Sequence, residues 1–178
     1  MKRLGLIFAA LALVACHSEP PQAAAPAVSA AEQVETGRYL AQACHTVPGG
    51  TPFAGGRPIV TPYGSIYSTN LTPDASGLGG WSADDFWQAL HYGRSKTLGS
   101  LYPAFPFTNF TKLSRADSDA LYAYFRSLQP VAKPTPAAQL RFPYNQRGLM
   151  AVWRALYFIP GSYQADATKS ASWNRGAY

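Results

Sequence analysis

Cysteine is almost missing from this 178-residue chain, which has only Cys16 and Cys44. With Cys16 assigned below to another role, no disulfide can close within the chain, and the paired cysteines of zinc ribbons and fingers are lacking. Methionine is as scarce (Met1 and Met150), and histidine is limited to His17, His45 and His91. Acidic residues are outnumbered, nine against fifteen Lys and Arg, for a net charge of +6. The basic residues are scattered, which together with the export signal described next argues against nucleic acid and favours an acidic partner or anionic lipid. No nucleophile–base pair, phosphate-cradling loop or paired-carboxylate site stands out. The length suits one domain with extensions.

The first residues read as an export signal: Lys2 and Arg3, then an apolar run from Leu4 to Ala15 that is too short to span a bilayer. The run ends in Leu13-Val14-Ala15-Cys16, the form of a bacterial lipoprotein cleavage box. Residues 1–15 are therefore the signal peptide, and Cys16 is the acylated first mature residue. Each buried methylene of an acyl chain contributes about 0.8 kcal/mol, so several chains make a lasting anchor. Residues 16–31, rich in Ala and Pro, form a tether with too little apolar bulk to pack. His17 is a bystander at its base.

The text beyond the tether predicts a mainly helical domain over 32–132. A first helix runs from Glu32 to Ala43. From Thr46 to Gly80 the chain is rich in Gly, Pro, Ser, Thr and Asn, a long loop region with little periodicity. So long a stretch in a compact domain wraps something functional, and a buried macrocycle would supply the apolar surface it lacks. Ser82 and Asp85 make a capping-box start for a short helix carrying Phe86, Trp87 and Leu90, with Gly93 at its C-terminus. Leu101 to Phe107 is a stiff, Pro-flanked apolar loop. Ser114 and Asp117 open the best helix, whose Leu121, Tyr122, Phe125 and Leu128 recur at three- and four-residue steps before Pro130. Gly37 is placed to let that helix approach the first one closely. An amphipathic segment from Asn145 to Phe158 follows.

Between the first helix and the loops lies Ala41-Gln42-Ala43-Cys44-His45. An intact c-type attachment site reads Cys-x-x-Cys-His: two thiols bond the haem vinyls and the histidine ligates iron. Here the second cysteine and the histidine survive, and Ala41 stands where the first cysteine belongs. The order helix, Cys-His, wrapping loops, short helix, Pro-flanked loop, terminal helix suits a class I cytochrome c-like domain.

These residues resemble the cytochrome c subunit of bacterial membrane-bound dehydrogenases of the gluconate and alcohol dehydrogenase type. The resemblance rests on Gly37-Arg38-Tyr39-Leu40-Ala41, on Cys44-His45-Thr46-Val47-Pro48-Gly49-Gly50 and on Phe53-Ala54-Gly55-Gly56. It continues through Tyr67-Ser68-Thr69-Asn70-Leu71-Thr72-Pro73-Asp74, Gly80-Trp81-Ser82, Leu101-Tyr102-Pro103-Ala104 and Ala120-Leu121-Tyr122-Ala123-Tyr124. Phe142-Pro143-Tyr144-Asn145-Gln146-Arg147 and the stretch from Ser172 to Tyr178 complete it. It implies haem c, three such domains in the usual subunit, a dehydrogenase catalytic subunit as partner, and electrons passed towards quinone or a terminal oxidase. It also implies that substrate oxidation resides in the partner.

Three departures stand out. The first attachment cysteine is absent, so any haem c would hang from a single thioether at Cys44. The family's Pro-Ala-Met-Pro, which the resemblance implies as the source of the sixth iron ligand, reads Pro103-Ala104-Phe105-Pro106. Residues 133–178 read as a linker helix and the cut-off start of a second domain, since Gly176-Ala177-Tyr178 echoes Gly37-Arg38-Tyr39. His45 is the expected proximal ligand and Met150 the candidate distal one. His91 reads as a solvated residue in a last helical turn, and Arg57 and Trp81 are candidates to hydrogen-bond haem propionates. The expectation is a lipid-anchored electron carrier on the periplasmic side of a bacterial envelope. The alternatives are a five-coordinate haem sensor or peroxidase-like protein, and a haem-free assembly lipoprotein with a degenerate cytochrome fold.

Overall fold

A computed structural model describes residues 28–41 and 45–178; Cys16 and Cys44 lie outside the described residues. The first helix, α1 (Ala30–Leu40), starts two residues earlier than Glu32 because Ser29 caps it. The Ser29 hydroxyl accepts the Glu32 N–H at 3.2 Å, and the Glu32 carboxylate accepts the Ser29 N–H at 2.9 Å. Ala41 closes the helix.

Helix α2 (Ala83–Tyr92) carries the predicted capping box, with Ser82 and Asp85 bonded reciprocally. Gly93 ends it at φ 58°, a left-handed conformation in which any Cβ would press on the Phe107 ring. The short α3 (Phe107–Phe110) continues the Pro-flanked loop. Helix α4 (Arg115–Ser127) is capped by Ser114 and ends at Leu128, two residues before Pro130. Helices α1 and α4 make the most extensive helix pair in the fold. They meet at Gly37, where a Cβ would collide with the Ala120 carbonyl. The core between α1, α2, α4 and the loops is built from Ala41, Leu78, Phe86, Leu90, Leu121 and Phe125.

The expectation of a mainly helical domain needs correcting, because helices share the fold with small antiparallel sheets. Strands β1 (Pro58–Thr61) and β2 (Gly64–Tyr67) form a hairpin inside the region predicted as loop. Ile59, Val60 and Thr61 favour extended backbone, and Thr61 ties the turn by accepting the Tyr63 N–H and donating to the Gly64 carbonyl. The Pro and Gly that read as loop are the hairpin's punctuation. A later strand, β5 (Gln139–Leu140), adds to β2, and β3 (Arg94–Ser95) pairs with β4 (Gly99–Ser100).

Helices α5 (Leu149–Tyr157) and α6 (Ala171–Ala177) belong to a segment that straps across the domain. Trp153 and Phe158 meet Phe107 edge-on, and the Arg154 guanidinium lies over the Phe107 and Phe158 rings. The strap is also tied by Gly161 N–H to Thr111 Oγ1, by Tyr163 N–H to the Lys112 carbonyl, and by the Tyr178 hydroxyl to Asp117. No helix among the described residues is long and apolar enough to cross a membrane.

Candidate functional site

His45 opens the loop that follows α1. Its Nδ1 lies 2.7 Å from the Thr69 carbonyl oxygen. A carbonyl only accepts, so Nδ1 carries the hydrogen and the neutral ring presents its lone pair at Nε2. Burial depresses the pKa of His45, and the bond to Thr69 opposes that shift only partly. The ring is thus held neutral, in the tautomer and orientation of a metal-ligating imidazole backed by a main-chain acceptor.

The surrounding loops are laced together around this ring. The Gly55 N–H donates to the His45 carbonyl at 2.8 Å, and the Leu71 N–H donates to the Phe53 carbonyl at 2.9 Å. Thr46 Oγ1 accepts the Phe53 N–H at 3.0 Å. Phe53 itself has φ 60°, a left-handed backbone that costs a bulky residue about 1–2 kcal/mol. Its ring is clamped edge-on by Tyr124 and Phe125, with centroids at 5.8 and 5.4 Å, which holds the strained conformer in place. Gly55 lies on the Thr69–Asn70 peptide so closely that a Cβ would stand 2.6 Å from the Thr69 oxygen.

Phe105 belongs to the apolar cluster that contains Leu40, Ala41, Phe53 and Leu71, and it packs on Phe110 at 5.3 Å. A phenyl ring there offers apolar surface and no lone pair. Met150 lies elsewhere in the strap, in an apolar groove of about 290 Å³ lined by Tyr144, Leu149, Trp153 and Tyr157 among others. None of the residues around His45 lines that groove. Arg57 is exposed, held through its backbone to Ser68, and Trp81 packs on the core. Among the described residues no group of three or more His, Cys, Asp or Glu side chains could hold a bare metal ion.

His91 departs from its expected solvated place, because it is only 6 % exposed. It stacks on Trp87 at 4.2 Å, and its Nδ1 has no hydrogen-bond partner. Burial, with a smaller contribution from the nearby Lys112 charge, lowers its pKa. Being on the packed face of α2 outweighs the attraction of the helix C-terminus for a cation. Asn70 was not singled out by the sequence. It is 2 % exposed and bonds to Thr72, Ser76 and Val131. The Asn-Leu-Thr-Pro-Asp run, with polar side chains suited to hydrogen-bonding nearby backbone, was the signal that could have found it.

No family model matches the chain. Curated proteins do. A nicotinate dehydrogenase subunit of Pseudomonas putida is 50 % identical over 154 residues, covering 83 % of this chain and 13 % of that protein. The gluconate 2-dehydrogenase cytochrome c subunit of Pantoea cypripedii is 42 % identical over 154 residues, 82 % of this chain and 35 % of its own length. The fructose dehydrogenase cytochrome subunit of Gluconobacter japonicus is 37 % identical over 167 residues, 89 % of this chain and 34 % of its own. The chain therefore spans about a third or less of the length of these relatives. Over most of its own length, the chain is similar to a gluconate 2-dehydrogenase cytochrome c subunit and a fructose dehydrogenase cytochrome subunit of bacteria.

Proposed function

We propose that this chain is a haem c electron-transfer module that serves a dehydrogenase partner, with His45 as the proximal iron ligand and Cys44 as the single thioether anchor. The observation that supports this reading is the His45 Nδ1 to Thr69 carbonyl bond, which leaves Nε2 as the donor atom. The donor set fits the group: a neutral imidazole next in sequence to a thiol, bordered by an apolar cluster. A haem bound there would supply a one-electron ferric–ferrous couple.

The protein's own part is binding and orientation. His45 presents Nε2, the Thr69 carbonyl fixes the ring and raises its basicity, and Phe53, Leu71 and Phe105 exclude water from the apolar side. Phe105 contributes no sulfur, so no methionine on that loop ligates iron, and the potential should lie below that of a His/Met site. Met150, the other candidate for the distal side, sits in the strap's own groove away from the residues around His45, so the reading takes no ligand from it. Arg57 and Trp81 are proposed partners for the propionates. Residues 1–15 serve as signal and Cys16 as lipid anchor to the periplasmic side of the envelope. Electrons would leave towards quinone or an oxidase.

Intact-mass analysis with haem staining of the envelope protein tests the reading. A haem-sized increment is expected that Cys44→Ser abolishes and His45→Ala depletes. No increment would leave the chain a haem-free relative. For the anchor, Cys16→Ala should leave the membrane fraction, and its retention after a salt wash would remove the lipoprotein assignment.

A further inference from the structure

The acceptor that aims His45 is a main-chain carbonyl on an irregular segment, and such a group is only as fixed as the loop that carries it. Thr69 is exposed, and its neighbour Asn70 is buried. The Asn70 side chain uses both ends. Its Oδ1 accepts the Thr72 N–H at 2.9 Å and the Thr72 hydroxyl at 2.8 Å. Its Nδ2 donates to the Val131 carbonyl at 2.8 Å and to Ser76 Oγ at 3.0 Å. The Asn70 backbone N–H, part of the same peptide plane as the Thr69 carbonyl, donates to Thr135 Oγ1 at 3.3 Å.

The stretch that receives these bonds is itself tied down. The Val131 N–H donates to Thr72 Oγ1, the Lys133 N–H to Ser76 Oγ, and the Lys133 ammonium to the Gly55 carbonyl at 2.9 Å. Gly55 in turn donates to the His45 carbonyl and lies against the Thr69 oxygen. The circuit runs from the ring through Thr69, Asn70, residues 131–135 and Gly55 back to the backbone of His45.

We infer that Asn70 is a positioning residue: it orients the His45 imidazole by locking the Thr69–Asn70 peptide to the 131–135 segment. Asn70 does not touch the ring, and it acts through the carbonyl alone. Buried and fully bonded, it is held in one rotamer, and its loss would leave the N–H of buried Thr72 without its acceptor and the Val131 carbonyl without its donor. The ligand role of His45 belongs to the proposal above; the locking of its ring by Asn70 can be measured whether or not iron is bound.

The test is solvent exchange of the His45 Nδ1–H in the 15N-labelled full chain. Asn70→Leu, close in shape and without hydrogen bonds, should speed that exchange by about tenfold or more. Ser82→Ala, which weakens the α2 cap remote from this circuit, should lower stability and leave the exchange unchanged. In haem-bearing protein the same Asn70 variant should raise the reduction potential, since a looser Nδ1 bond makes the imidazole a weaker donor. Unchanged exchange in a folded Asn70→Leu protein overturns the inference, as does an equal rise in Ser82→Ala. If Asn70→Leu does not accumulate, Thr72→Val removes two bonds of the circuit and must speed the exchange; failure to do so equally overturns it. Absence of haem with a protected Nδ1–H would defeat the ligand assignment alone.

Discussion

Helices α4 and α5 make an instructive pair, because their apolar content and their burial run in opposite directions. Helix α4 contains Arg115, Asp117, Asp119 and Arg126, yet it buries Ser118, Ala120, Leu121 and Phe125. Helix α5 is almost wholly apolar, Leu149-Met150-Ala151-Val152-Trp153-Arg154-Ala155-Leu156-Tyr157, and it buries none of its residues. Its polar member, Arg154, turns inward to the Gly93 carbonyl and the Phe107 ring, and Leu149, Val152 and Leu156 face out. Hydrophobicity alone did not decide which helix makes the core. Placement against α1 did, through the close approach at Gly37.

Substitutions can break that contrast. Phe125→Ala, at a site 4 % exposed and gripped by Phe53 and Phe86, should cost about 3–5 kcal/mol by chemical denaturation of the full chain. Gly37→Ala should cost about 3 kcal/mol, because the added methyl must push α1 off the Ala120 carbonyl. A loss under 1 kcal/mol there would mean that α1 and α4 are less intimate than the geometry shows.

Acid titration probes the packed side of the molecule at His91 of α2. Burial sets the folded pKa of His91 below its ordinary value of about 6.5, so the unfolded chain binds a proton that the folded chain resists. Stability should therefore fall as pH drops below about 6.5 and level off once the folded form also titrates. His91→Phe keeps a ring against Trp87 and removes the proton, so its stability curve should lose part of that slope and keep the share of His45, whose pKa burial also lowers; an unchanged slope would assign it to His45 and other groups. The smallest effect belongs to α5: Leu156→Ser, at a side chain 68 % exposed, should shift stability by no more than about 0.5 kcal/mol. A larger loss would show that this face is covered in the full chain in solution.

Much of the helical frame was legible because its signals are local. Ser82 with Asp85, Ser114 with Asp117, and Gly93 each act within one turn, and the structure uses all of them as caps. The β1–β2 hairpin was hidden, since Pro62 and Gly64 mark loops and tight turns alike. His91 was misjudged because its helix position suggested a stabilised cation, whereas its fate depends on packing against Trp87 and Tyr92. At the candidate site the sequence singled out His45, but not its partner. A backbone carbonyl has no signature of its own, and the residue that fixes it, Asn70, looks like any turn-forming asparagine.

The span of the Asn70 circuit also carries a consequence for timing. Asn70 and Thr135 are 65 residues apart in sequence. During synthesis the ring of His45 therefore emerges long before the last knot behind it can be tied. The segment behind the ring is thus drawn tight like a purse string, late and from its far end.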